Sequence, residues 1–202
     1  MYSSSTINRD KIKVMTVTGM MLAIMVVLWE TPMGRIPMFG LLPDATIAIL
    51  PSIVVVLALG IKPGLFLGAA TGVYGMFLAL RAPVGFNAFF INPLLSVFPR
   101  VMVPVMAILA FRLLLKFKVH KSISVIVACA VGSLTNTVLA LGMAYLIYFQ
   151  DVTDIAISLG YSNGMIFIWG IVATSGLGEV IVNSIIGSLV VLTLYKARLA
   201  KI

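Results

Sequence analysis

Long apolar runs alternate with short polar or proline-rich breaks along the whole chain. The first run covers about Val14 to Trp29. The segment ETPMGRIPMFGLLPD follows, and its prolines and glycines predict an irregular but rigid loop. A second run, about Ala45 to Ile61, starts beside Asp44, a residue type suited to capping a helix. Lys62-Pro63-Gly64 reads as a tight turn into a third run, about Leu65 to Leu80. RAPVGFNAFFINP is a second irregular loop, and the fourth run covers about Leu94 to Leu115. The basic stretch KFKVHK separates it from a fifth, about Ile123 to Phe149. QDVTDIAISLGYSNG then forms a polar loop with room for a short surface helix. The last stretch, Met165 to Tyr195, is longer than the roughly 20 residues of one crossing. Gly176 and Gly178 predict a break, with an interfacial piece before it and a sixth span from about Ser175 to Tyr195. The pattern predicts an all-α integral membrane protein, a bundle of six transmembrane helices forming one domain over residues 1–202 without internal repeats.

Composition supports this. The chain is 61% hydrophobic and only 10% charged, with a mean hydropathy of +1.17. Soluble domains carry about 25% charged residues. The net charge of +8 invites a nucleic-acid reading. The basic residues cluster at span ends, however, which is the signature of membrane orientation, so lipid and not nucleic acid is the expected partner. With six spans, one side receives Arg9, Lys11, Lys13, Lys62, the basic residues from Arg112 to Lys121, and those from Lys196 to Lys201. The other side receives only Arg35 and Arg81. The positive-inside rule then places both termini in the cytoplasm. No small-residue cleavage site follows MYSSSTINRDKIKV, so the first run is expected to be a retained helix.

Against this apolar background the buried polar residues stand out. Arg100 lies within FINPLLSVFPRVMVP, roughly 10 Å below the outer end of the fourth span at 1.5 Å per residue. Glu179 lies roughly 25 Å from the cytoplasmic end of the sixth, and Asn136 near the middle of the fifth. A charge at the membrane centre costs about 2.5–3.5 kcal/mol on insertion scales, so such groups face a bundle interior or a wet cavity. Helical spacing groups Ser96, Arg100 and Pro104 on one face, Ser133, Asn136, Thr137 and Ala140 on a second, and Glu179, Asn183 and Gly187 on a third. Two readings follow. Arg100 and Glu179 form a buried structural pair, or they belong to a ligand pocket open to the outside. Asn92, Asn136, Thr137 and Asn183 offer more hydrogen-bonding capacity than one pair needs, which favours the pocket. The candidate substrate-binding residues are therefore Asn92, Ser96, Arg100, Asn136, Thr137, Glu179 and Asn183. In the third run Gly64, Gly68, Gly72 and Gly75 form a small-residue ridge suited to close helix packing. Gly19 and Ala23 form a shorter pair on the first helix.

Other chemistry is missing from the sequence. His120 is the lone histidine and Cys129 the lone cysteine, and neither sits in a metal-binding or nucleophile motif. No Walker motif occurs. No cofactor, no metal and no enzymatic activity are expected. One buried acid and no inverted repeat are thin equipment for a carrier. Three hypotheses remain: a ligand-binding subunit driven by a partner, a solitary proton-coupled organic-anion carrier using Glu179, and a scaffold held by an Arg100–Glu179 pair.

INPLLSVFPR (Ile91–Arg100), VGSLTNTVLALGMAYLIY (Val131–Tyr148) and SGLGEVIVNSIIG (Ser175–Gly187) resemble the substrate-binding S-components of energy-coupling factor (ECF) vitamin transporters. Gly19 and Ala23 stand where that family has an alanine-xxx-alanine motif, with glycine replacing the first alanine. The resemblance implies six helices in a bacterial cell membrane and an external vitamin pocket capped by loops. It also implies docking of the first helices, through Gly19 and Ala23, on a transmembrane coupling protein that works with two ATP-binding cassette ATPases. Pro99-Arg100 together with Thr135-Asn136-Thr137 looks most like the pantothenate-specific members. Members for hydroxymethylpyrimidine, folate, riboflavin or cobalamin share parts of the pattern. Pantothenate suits the residues chemically: Arg100 can hold a carboxylate in bidentate fashion, and Asn, Thr and Glu179 can meet hydroxyls and an amide.

Overall fold

The computed structural model of the chain describes residues 4–32, 34–36, 45–197 and 199–200, so Asp44, the expected cap, lies outside the described residues. The elements are α1 (Ser4–Glu30), the paired strands β1 (Arg35–Ile36) and β2 (Ala45–Thr46), α2 (Leu50–Leu59) and α3 (Ile61–Arg81). A 3₁₀ helix (Gly85–Ile91), α4 (Pro93–Lys116), α5 (Lys121–Ile147) and α6 (Phe149–Ser158) follow. The chain ends with α7 (Gly164–Ile171), a π-helical turn (Val172–Gly176) and α8 (Leu177–Lys196). Five helical stretches among the described residues are long and apolar enough to cross a membrane: Lys11–Glu30, Ile61–Arg81, Pro93–Lys116, Lys121–Ile147 and Gly164–Lys196.

The second apolar run departs from expectation. Its first residues are spent on β2, antiparallel to β1 with Arg35 opposite Thr46, and on a turn. Helix begins only at Leu50, with Pro51 at its start, where a missing N–H is tolerated. Ten residues rise about 15 Å, half the roughly 30 Å hydrocarbon core. An apolar run has no period that separates a strand and turn from helix, which is why the sequence could not divide it. Nor does Lys62-Pro63-Gly64 form the turn. Those residues open α3, and the chain turns one step earlier at Gly60, whose φ of +102° suits glycine. Ile53 through Ala58 are almost wholly inaccessible, so α2 is sheathed by protein on all sides.

The C-terminal run also differs. No break occurs at Gly176 or Gly178, and no separate interfacial piece precedes the last span. The path from Gly164 to Lys196 is one continuous helix carrying a π-turn. The loop before α4 is a 3₁₀ helix, and the polar loop after α5 does carry a short helix, α6.

Packing between α3 and α4 follows from the glycine ridge. A methyl group at Gly72 would lie 2.6 Å from Val97 Cα and 2.9 Å from the Ser96 carbonyl oxygen. One at Gly68 would lie 2.6 Å from the Arg100 carbonyl oxygen. The two backbones therefore touch, and Ser96 Oγ donates to the Gly72 carbonyl at 2.8 Å. Around α2, an apolar cluster joins Ile53, Val54, Val103, Phe111, Val125 and Val191. A second joins Phe86, Phe89, Leu95, Leu141, Phe167 and Ile171.

Candidate functional site

Proline chemistry sets the position of Arg100. Pro99 has no N–H, so the carbonyl of Leu95 four residues earlier lacks its helical donor. Arg100 Nη1 donates to that carbonyl at 2.9 Å. The guanidinium carbon also lies 4.6 Å from the centre of the Phe90 ring, in cation–π geometry. These two contacts fix the side chain, yet Nε is buried without a partner. Arg100 as a whole is 4% exposed.

Arg100 lines a cavity of about 820 Å³, its open mouth included. α5 contributes Asn136 and Thr137 to the lining, and α8 contributes Glu179. Thr137 Oγ1 stands 3.5 Å from Glu179 Oε2 as donor, and the Thr46 backbone and the Asn136 side chain also face the carboxylate. Glu179 Oε1, Asn136 Oδ1 and Ser175 Oγ are buried without partners. Most buried polar atoms in proteins are hydrogen-bonded, so four unpartnered atoms on residues that line one cavity suit it to a polar ligand. Arg100 and Glu179 form no direct ion pair. Pro99 gives the guanidinium a carbonyl instead of a direct carboxylate partner.

The π-turn builds one wall. It inserts an extra residue per turn and turns Ser175 and Gly176 to the cavity ahead of Glu179. A methyl group at Gly176 would meet Thr137 Cγ2 at 3.0 Å, so glycine lets α5 approach there. The rest of the lining is mostly apolar, with Trp29, Leu78, Ala79, Phe90, Leu141 and Ile171, and Asn87 adds one polar side chain.

A family model for the substrate-specific component of ECF transporters matches residues 13–191. The chain belongs to this family. No curated protein matches it. As an S-component it is a multi-pass membrane protein and a non-catalytic, substrate-specific subunit, and such subunits work with an energy-coupling module of transmembrane and ATPase proteins.

Of the residues singled out from the S-component's sequence, Arg100, Asn136, Thr137 and Glu179 meet at the cavity. The other three do not line it. Asn92 caps α4, accepting from the Leu94 N–H at 3.0 Å and donating to Tyr148 Oη at 3.2 Å. Ser96 faces α3. Asn183 donates to Ser133 Oγ at 3.0 Å, tying α8 to α5. Sequence reasoning missed Trp29, Thr46, Asn87, Phe90 and Ser175. Asn87 and Phe90 sit in the 3₁₀ helix, Thr46 in β2 and Ser175 in the π-turn, where no helical period applies. Only Trp29, at the end of α1, carried a signal: an aromatic residue beside a charged one at a span end.

Gly19 and Ala23 lie on the exposed side of α1, and a methyl group at Gly19 would meet nothing within 4 Å.

Proposed function

We propose that this S-component binds pantothenate, with Arg100 holding its carboxylate and Asn136, Thr137, Ser175 and Glu179 meeting its hydroxyls and amide. The observation that carries the reading is the buried, unpartnered Nε of an arginine whose other end is already pinned to Leu95. A fixed cation with a free donor is preorganised for an anion, and a charge-assisted bond to carboxylate is among the stronger hydrogen bonds. The apolar walls suit the dimethyl-bearing carbon chain of such a ligand.

In this reading the chain crosses the membrane six times with both termini in the cytoplasm. Residues 45–49 and α2 make the second crossing together. Extended backbone at that depth is tolerable because protein encloses it: Thr46, Ala48 and Ile49 are all buried. The pocket opens outward. Gly19 and Ala23 dock α1 on a transmembrane coupling protein, two ATPases drive the cycle, and their open, small surface supports that role.

Calorimetric titration of the purified chain with pantothenate, beside Arg100→Ala, tests the reading. Saturable binding lost in the variant supports it. No heat from pantothenate removes the substrate assignment.

A further inference from the structure

The cavity has an unusual charge inventory. Among the described residues that line it, only Arg100 and Glu179 are titratable. Arg100 comes from α4 and Glu179 from α8. The groups facing Glu179 from α5 and β2, the side chains of Asn136 and Thr137 and the backbone of Thr46, are neutral. One cation and one anion therefore share a buried chamber without touching. A ligand carboxylate satisfies the cation and leaves the chamber with one net negative charge. Thr137 Oγ1 donates to Glu179 Oε2 across a long 3.5 Å, and the Thr46 backbone and Asn136 side chain face the carboxylate, but Oε1 is buried with no donor of its own to spread that charge. Like charges brought together out of water are resolved by protonation of one of them.

We infer that the Glu179 carboxyl is neutral in the ligand-bound protein, so that a carboxylate ligand binds together with one proton. The inference rests on the carboxylate reading of the site above. The proton comes from bulk water through the open mouth and adds to a carboxylate oxygen; no other bond forms or breaks. The neutral carboxyl presents one O–H donor and one carbonyl acceptor, a pair that can serve a ligand hydroxyl or amide. An ionised carboxylate would offer acceptors alone. The geometry carries a second consequence. The ligated chamber is electroneutral, which avoids the cost of an uncompensated charge at membrane depth.

Titration calorimetry of the full chain in detergent tests this, with pantothenate as the probe. The heat is measured in paired buffers of different ionisation enthalpy, at mildly acidic, neutral and alkaline pH. Uptake should approach one proton per ligand at alkaline pH, with affinity falling as much as about tenfold per pH unit there. Glu179→Gln should abolish the uptake and bind more tightly than wild type at alkaline pH. Binding of pantothenate with no proton uptake at any pH overturns the inference and leaves the substrate reading standing. Uptake that persists in Glu179→Gln also overturns it, since another group would be the acceptor. Failure of pantothenate to bind overturns both. The proton count on the wild-type chain stands even if the variant does not fold.

Discussion

Pro99→Ala separates two things that a helix proline does at once. In the native chain the Leu95 carbonyl is free because residue 99 has no N–H, and Arg100 Nη1 occupies it at 2.9 Å. Alanine at 99 supplies an N–H placed for the ordinary i→i−4 bond. The helix then competes with the guanidinium for one carbonyl. A hydrogen bond to a charged group contributes about 1.5–3 kcal/mol, and the second lone pair of the oxygen softens the contest. A loss of about 1–2 kcal/mol in ligand binding follows, a weakening of about 5- to 30-fold. Stability should move the other way, because an interior proline costs a helix up to about 3 kcal/mol. The assay pairs calorimetric titration with thermal unfolding in detergent. Pro104→Ala is the control: it repairs the same helix without supplying a donor to Leu95. Unchanged affinity in Pro99→Ala, alongside raised stability, would refute the claim that this carbonyl aims Arg100.

Three further outcomes are expected. Gly72→Ala must push α3 from α4, since the added methyl group would lie 2.6 Å from Val97 Cα; it should destabilise by about 1–3 kcal/mol, read from thermal or denaturant unfolding. Gly19→Trp or Ala23→Trp should abolish uptake in cells carrying the coupling module while the purified variant still binds ligand, and loss of ligand binding instead would place that stripe inside the bundle. Asn183→Leu removes the Ser133 bond between α5 and α8; intramembrane bonds of this kind average about 0.6 kcal/mol, so a small fall in melting temperature with near-native affinity is expected, and a large loss of affinity would return Asn183 to the ligand.

Much of the site was legible because α4, α5 and α8 are regular. In such helices a polar residue every third or fourth position defines one face, and every member of the three stripes is buried. A face is wider than a cavity, however. Ser96 lies one turn from Arg100, and that turn is enough to hand it to Gly72 of α3. Asn183 lies one turn from Glu179 and falls to Ser133. Periodicity gives direction and approximate depth, but whether a buried polar side chain meets a neighbouring helix or a ligand depends on what the opposite helix offers at that height. The wall residues that were missed come from segments where the period changes or vanishes.

The same reasoning explains the second run. An unbroken apolar sequence states only that its residues avoid water, and both a lipid-facing helix and a protein-enclosed strand and turn satisfy that. The choice was made by residues outside the run, the glycines of α3: Gly68 and Gly72 bring α4 close, and Gly64 lets α2 approach, since a methyl group there would lie 2.5 Å from Val56 Cβ. α2 is short because it is an interior element, wrapped by α1, α3, α4 and α8. β2 brings the Thr46 backbone toward Glu179, and Thr46 itself is buried. The glutamate, Thr46 and the glycine ridge are thus one arrangement. Close backbone packing of α3 on α4 positions Arg100 at the cavity, and the buried Thr46 of β2 lines the same cavity beside Glu179.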